Sequence, residues 1–280
     1  MERLARCHLT GVTTESAVEE DTMYAITGVT GHVGGAAVRA LRAAGEPVRA
    51  VTRAVADLTD RTSLAAAFTG CRGAFVLLPT LPDGDDAAHR AMADTIAGAV
   101  ADSGVPHVVM LSSFGADLPA GTGPIRWLHH LENALRGTGA VVTAIRSPHF
   151  QEKVEDVLGA PVYPVFGSSA DVPVPMVATR DIGAAVAYAL THPPARSEVV
   201  DLEAPVYTER QVAGELNREV VLVPRAAWAD TLVQAGVPPL LATELADLYD
   251  AGERGLLEPR GDRRHLCTTT LTETLKELNP

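Results

Sequence analysis

The strongest constraint in this sequence is a glycine-rich turn set between a short apolar strand and a helix. Tyr24-Ala25-Ile26-Thr27 reads as the strand, Gly28-Val29-Thr30-Gly31-His32-Val33-Gly34 as the turn, and residues 36–44 as a helix-forming run ended by Gly45. The Gly-x-x-Gly-x-x-Gly spacing gives each glycine a task. One makes the tight turn out of the strand, one lets backbone approach a pyrophosphate, and one lets the helix pack closely on the strand, with the helix N-terminus facing the anion. A glycine triplet alone is a weak signal. Placed after a strand and before a helix, it points to a dinucleotide site built on Gly28, Thr30, Gly31, His32, Val33 and Gly34.

Strands and helices alternate beyond the turn. Residues 47–52 read as a second strand, 64–68 as a short helix, 74–78 as a strand and 87–103 as a long helix. Residues 108–111 follow as a strand, 125–136 as a helix closed by Gly137 and Gly139, and 141–145 as another strand. This order predicts a doubly wound α/β Rossmann fold, a parallel sheet with helices on both faces. Only residues 54–56 separate Arg53 from Asp57-Leu58-Thr59-Asp60, which read as the start of the next helix. A parallel crossover needs about a dozen residues, so one helix and the usual edge strand after the second strand are expected to be missing. In the 3-2-1-4-5-6 order that strand is an edge, and its loss spares the core.

After Ser147 the pattern loosens at Pro161, Pro164, Pro173 and Pro175. Residues 179–190 then read as a helix, 199–202 as a strand, 208–216 as a helix, 220–224 as a strand and 226–255 as amphipathic helix. The expected division is an N-terminal extension at 1–22, a dinucleotide-binding domain at 23–150, and a smaller substrate lobe in most of 151–280, with 176–190 packing back on the first domain. Residues 1–22 carry several acids and no long apolar run, which fits neither a signal peptide nor a membrane anchor. They read as an added, poorly ordered leader.

With 23 basic against 35 acidic residues, the formal charge of −12 works against binding nucleic acid or anionic membranes through bulk electrostatics. The expected partner is a small molecule, and a homodimer is compatible with the sequence. Cys7, Cys71 and Cys267 are far apart and show no metal-ligand spacing, which fits a reduced, metal-free, cytoplasmic protein. Cofactor choice rests on the end of the second strand, where an acid suits the ribose 2′-OH of NAD and an arginine suits a 2′-phosphate. Thr52 and Arg53 stand there, and a guanidinium pairs with phosphate through a bidentate fork. NADP(H) is therefore expected in preference to NAD(H).

Several stretches together resemble the NmrA-like family, an atypical branch of the short-chain dehydrogenases/reductases. They are Met23 through Gly34, Val108-Val109-Met110-Leu111-Ser112-Ser113, Leu131-Glu132-Asn133-Ala134-Leu135, Thr143-Ala144-Ile145-Arg146-Ser147-Pro148, Phe150-Gln151-Glu152 and Asp181-Ile182. The resemblance covers residues 23–255. It implies a Rossmann fold and either reduction of quinones, azo dyes or triphenylmethane dyes, or redox sensing through bound NADP without turnover. It also implies that Asp57 lies near the adenine; Leu78 and Pro79, at the end of the third strand, complete the expected cofactor contacts. Three departures stand out: no Tyr-x-x-x-Lys pair exists, Lys153 replaces the asparagine that commonly follows the Phe-x-Glu motif, and the connection after the second strand is short.

The missing tyrosine leaves proton handling to other groups. Ser112 and Ser113, at a strand end beside the expected nicotinamide, suit hydrogen bonding to its carboxamide or to a substrate carbonyl. His129, His130 and His149 are the candidate proton carriers, because imidazole titrates near neutrality. A His129/Glu132 metal pair has i, i+3 spacing but lacks further ligands, and no Gly-x-Ser-x-Gly elbow supports a serine hydrolase. The leading expectation is an NADP(H)-dependent oxidoreductase acting on a quinone, enone or similar carbonyl compound. The alternatives are a non-catalytic NADP(H)-sensing regulator and a non-redox cyclase or isomerase on the same fold.

Overall fold

The apolar runs are too uniformly buried to serve as one-faced strands, and they assemble into a parallel sheet covered on both sides. The structure is a computed structural model that describes residues 23–278, so the expected leader lies outside the described residues. In chain order the first elements are β1 (Tyr24–Thr27), α1 (His32–Ala43), β2 (Val48–Val51), α2 (Arg61–Phe68), β3 (Gly73–Val76), α3 (Asp86–Ser103), β4 (His107–Ser113), α4 (Ile125–Arg136) and β5 (Val141–Ser147). There follow β6 (His149–Phe150), a 3-10 turn (Gln151–Val157), β7 (Tyr163–Val165), β8 (Pro173–Val177) and α5 (Thr179–Thr191). The chain ends with β9 (Glu198–Glu203), β10 (Val206–Thr208), α6 (Glu209–Glu215), β11 (Val220–Leu222), α7 (Trp228–Gln234), α8 (Pro239–Glu253), β12 (Arg263–Leu266) and α9 (Leu271–Leu278).

Seven strands form the main sheet in the order β12-β9-β5-β4-β3-β1-β2, all parallel. β1 and β3 are buried along their whole length, whereas β2 is fully buried only at Val51. That contrast marks β2 as an edge, the position created by the missing strand. The Arg49 side chain folds back there to donate to the carbonyls of Ala67 (3.1 Å) and Thr69 (2.9 Å), which blunts the edge against pairing. One face of the sheet packs on α2, α3 and α4 and the other on α1 and α5. A smaller core of Val154, Tyr163, Val165, Met176, Val212 and Leu271 holds the C-terminal sheets β10-β8-β6 and β11-β7.

Three details differ from the sequence expectation. Residues 57–60 do not begin α2: the Asp57 carboxylate accepts from the Thr59 N–H (2.8 Å) and hydroxyl (2.7 Å), and Asp60 caps the helix by accepting from the Thr62 and Ser63 N–H groups. Short acidic side chains satisfy local backbone donors and so favour turns and caps over helix interiors. Residues 226–255 are not one helix but chiefly two, α7 and α8, broken at Gly236 (φ +94°) and Pro238. β12, whose Arg-Arg-His-Leu sequence lacks an apolar strand pattern, joins the main sheet beside β9. After residue 150 the chain thus returns to the sheet through α5, β9 and β12.

The α1–α5 contact fixes how close that return can be. A Cβ built on Gly183 would stand 2.5 Å from Ala36 Cβ, 2.6 Å from Ala36 C and 2.7 Å from Ala37 N. Helix propensity alone says that Gly183→Ala stabilises by about 1 kcal/mol. The backbone of α1 cannot yield as a flexible side chain would, and overpacking costs about 1–3 kcal/mol. Gly183→Ala is therefore expected to lower the denaturation midpoint, measured by urea unfolding; a rise would mean that propensity outweighs the contact.

Candidate functional site

The three glycines of the first turn do different work. Gly28 adopts φ +65°, a left-handed conformation that turns the chain sharply out of β1. A Cβ on Gly34 would lie 2.2 Å from the Gly28 carbonyl oxygen, so the absence of a side chain there is what allows α1 to start against β1. Gly31 is unlike both. Its φ of −92° and ψ of 172° suit any residue, and a Cβ would meet only the Gly28 oxygen at 3.5 Å. Nothing in the protein itself excludes a side chain at Gly31. It is the N-cap of α1 and no side chain caps that helix, which leaves first-turn N–H groups open to an anion. The turn therefore fits a dinucleotide pyrophosphate. Thr30 is exposed, Val33 is buried on the inner face of α1, and His32 Nε2 lies 3.0 Å from Glu155 Oε2 on the 3-10 turn.

At the end of β2, Arg53 is exposed, and among the described residues no carboxylate lies within ion-pairing distance of its guanidinium. The neighbouring Asp57 is held below the usual carboxylate range by its bonds to Thr59, with a smaller contribution from Arg53. Arg49, on β2 itself, is committed to the Ala67 and Thr69 carbonyls.

On the opposite side of β1, a cavity of about 160 Å³ opens at the C-terminal ends of β3, β4 and β5, where ligands bind in open parallel sheets. Leu77, Leu78, Leu111, Leu128, Pro148 and Phe150 line it, with Ser112, Ser113 and Ser147 as its polar groups. Pro79 follows as a half-buried residue. The β4–β5 register sets Ser112 beside Arg146 and Ser113 beside Ser147. Behind the cavity, α4 turns Glu132 inward, only 1% exposed. Ser112 Oγ donates to Glu132 Oε1 at 2.6 Å, and Arg146 donates through Nε to Oε1 and through Nη2 to Oε2, both at 2.9 Å. Arg136 Nη2 adds a bond of 2.9 Å to Oε2. Burial opposes the charge on Arg146, but its bonds to Glu132 and the fields of Glu132, Asp117 and Asp201 outweigh that and raise its pKa.

The candidate histidines lie elsewhere. The His129 Nδ1–H donates to the Ala116 carbonyl at 2.8 Å and Nε2 accepts from the Asn133 amide at 2.9 Å. His130 faces α3, with Nε2 at 2.7 Å from Asp94 Oδ1 and Nδ1 at 3.2 Å from Arg90 Nη1. The His129/Glu132 pair does not converge, since Glu132 is spent on Ser112 and two arginines. His149, on β6, keeps an exposed face but is otherwise crowded by protein. Burial pushes its pKa down against the opposing charge of Glu209, while Lys153 adds to the depression and Asp156 opposes it. Leu77, Leu111, Leu128, Ser147, Pro148 and Phe150, with Glu132 and Arg146 behind them, were not singled out from the sequence as site residues. Their shared signal is position: most follow or end a predicted strand, the rim where α/β sites form.

The family model described as NAD(P)H-binding matches residues 28–193. An NAD(P)H azoreductase of Xenophilus azovorans is 27% identical over 257 residues, covering 81% of this chain and 86% of that protein. Among solved structures, the fold is similar to that of an NADPH-dependent quinone oxidoreductase from Escherichia coli complexed with NADPH, with TM-score 0.72 and 22% identity over 92% of this chain and all of that one. It is similar also to triphenylmethane reductase of Citrobacter sp. complexed with NADP(H), with TM-score 0.71 and 22% identity over 91% of this chain and 99% of that one. The family match takes in the glycine turn, the apolar cavity and the α1–α5 contact, and spans more than half of the sequence, so the chain belongs to this NAD(P)H-binding family.

Proposed function

We propose that this protein is an NADPH-dependent oxidoreductase that reduces a planar, activated carbonyl-type acceptor such as a quinone or a conjugated enone. The observation that carries this reading is the disposition of protons around the cavity. Its lining has no titratable side chain, and its serine protons are directed into the protein: Ser112 donates to Glu132, Ser147 Oγ to the Pro148 carbonyl at 2.7 Å, and Ser113 Oγ to the Ser147 carbonyl at 3.4 Å. Such a wall offers acceptors and apolar surface, with no resident acid. That suits an acceptor whose product anion is delocalised and which takes its proton from water. The names of the azoreductase and quinone oxidoreductase relatives point the same way.

The chain's own residues would hold the cofactor in a line across the sheet. The α1 N-terminus with Gly28, Gly31 and Gly34 receives the pyrophosphate, Arg53 the 2′-phosphate with Asp57 toward the adenine, and Leu77, Leu78, Ser112 and Ser113 the nicotinamide. Bound there, NADPH supplies the hydride, and the protein supplies orientation and exclusion of water. The cavity volume is below the ~300–1,000 Å³ usual for drug-sized ligands, which favours a flat acceptor stacked at its mouth over a branched one. The same open cavity weighs against a sensor that would keep it filled.

Three measurements test this reading. Gly31→Ala is expected to leave thermal stability nearly unchanged while weakening NADPH binding at least tenfold by calorimetric titration, because the ligand, not the fold, requires the glycine. Equal affinity would remove Gly31 from the pyrophosphate site. Arg53→Asp is expected to cost NADPH about 2–3 kcal/mol, the order for charge-assisted hydrogen bonds, and to spare NADH; an unchanged ratio of the two dissociation constants would show that Arg53 does not read the phosphate. Purified protein should oxidise NADPH with quinones, and His129→Ala with His130→Ala should slow turnover less than tenfold, since neither ring faces the cavity. A loss of about 10²–10⁴-fold, the range for a required general acid, would instead identify a histidine donor. No oxidation with quinones, enones or aldehydes, with NADPH still bound, would overturn the reductase reading.

A further inference from the structure

Glu132 is buried beside the cavity but does not line it. Its two oxygens accept four donors: Ser112 Oγ–H and Arg146 Nε on Oε1, and Arg146 Nη2 and Arg136 Nη2 on Oε2. A carboxyl group so occupied has no room for a proton of its own, and a carboxylate is an acceptor only. The proton in the 2.6 Å contact therefore belongs to Ser112. A serine hydroxyl has one proton and two lone pairs. With the proton committed to Glu132, Ser112 presents only lone pairs to a largely apolar space. A buried lone pair there is costly unless a donor meets it.

The two groups expected in this space differ in what they offer. A quinone or enone carbonyl has no donor. The nicotinamide carboxamide has one, its NH2. We propose that Glu132 is a positioning residue for the cofactor: by fixing Ser112 as an acceptor, it selects the carboxamide nitrogen over its oxygen and so sets the rotation of the nicotinamide group beside β4. The acceptor substrate is then left to bind without Ser112. This inference rests on placing the nicotinamide in this cavity, and not on which acceptor is reduced.

The test uses ligands that differ only at this contact. Nicotinic acid adenine dinucleotide phosphate carries a carboxylate in place of the carboxamide, and so brings no donor to Ser112. Adenosine 2′,5′-bisphosphate lacks the nicotinamide half and reports the adenine half alone. By calorimetric titration the wild-type protein should bind NADP+ about ten- to hundredfold tighter than the acid analogue, the cost of leaving a buried polar group unpaired or opposed. Ser112→Ala should collapse that ratio to within about threefold without changing the affinity for adenosine 2′,5′-bisphosphate. Glu132→Gln should relax it as well, because an amide can donate to the serine oxygen and free its proton. Glu132→Asp keeps the charge for Arg146 and Arg136 but falls short of Ser112, which guards against a variant that fails to fold. Its effect on the ratio should vanish in the Ser112→Ala background.

Equal binding of NADP+ and the acid analogue by the wild type would overturn the proposal. So would Glu132 variants that weaken all three ligands in parallel with a lowered melting temperature, since that pattern belongs to a purely structural ion pair. Tight binding of adenosine 2′,5′-bisphosphate with no gain from the nicotinamide half would refute the placing of the nicotinamide itself, whereas failure with every acceptor would bear on the reductase reading alone.

Discussion

The site depends on one close approach, that of α1 to the turn leaving β1. Gly28 must turn left-handed and Gly34 must lack a side chain for α1 to begin where its open N–H groups face the sheet's C-terminal edge. A second close approach, at Gly183, seats α5 on the same helix. The start of α5 then holds the far wall: the Thr179 N–H and hydroxyl donate to Glu152 Oε1 at 2.8 and 2.6 Å, which anchors the 3-10 turn that follows Phe150. From the same helix, Asp181 accepts from Thr269 through its backbone N–H (2.9 Å) and hydroxyl (2.6 Å) and ties down the segment after β12. Glycine turn, cavity wall and C-terminal segment are thus linked through two glycines on two touching helices.

Much of this was legible because it rests on local rules. The apolar runs gave β1, β3, β4 and β5 nearly at their observed bounds, and the three-residue gap after Arg53 correctly removed a strand, since no parallel crossover fits in it. What stayed hidden was set by tertiary partners. β12 carries two arginines and a histidine, and it is a strand because β9 offers it an edge, with Arg263 paired to Glu198 (2.6 Å) across that edge. A third of the cavity lining was visible. Ser112, Ser113 and Leu78 end strands and were expected there, whereas Leu128 arrives from α4 and Phe150 from beyond the sheet, positions that no strand pattern reveals. The surroundings of the histidines were hidden for a related reason. Titration near neutrality makes a histidine a candidate anywhere, but only packing shows that His129 and His130 spend their ring nitrogens on a carbonyl, an amide and the α3 surface.

The ionic cluster behind the cavity explains why so apolar a pocket keeps serines at its rim. Glu132 and Arg146 are nearly fully buried, and desolvating two such charges costs more than packing two hydrophobic side chains of similar size would. Stability is therefore a poor reason for the pair. Arg146 has two further carboxylates in reach, yet neither replaces Glu132. Asp117 Oδ1 stands 3.8 Å away and also serves Arg260 through its other oxygen, while burial raises the pKa of Asp201, whose Oδ2 already accepts from the Gly261 N–H at 2.5 Å. Glu132 alone meets the guanidinium edge-on with two 2.9 Å bonds, and that geometry leaves Oε1 turned toward β4. The β4–β5 register, in which Ser112 sits directly beside Arg146, then makes the serine the next donor in line. A register set by backbone hydrogen bonds and a bidentate ion pair set by planar groups have few ways to slip. The rigidity of both is what carries a fixed hydroxyl orientation to the cavity.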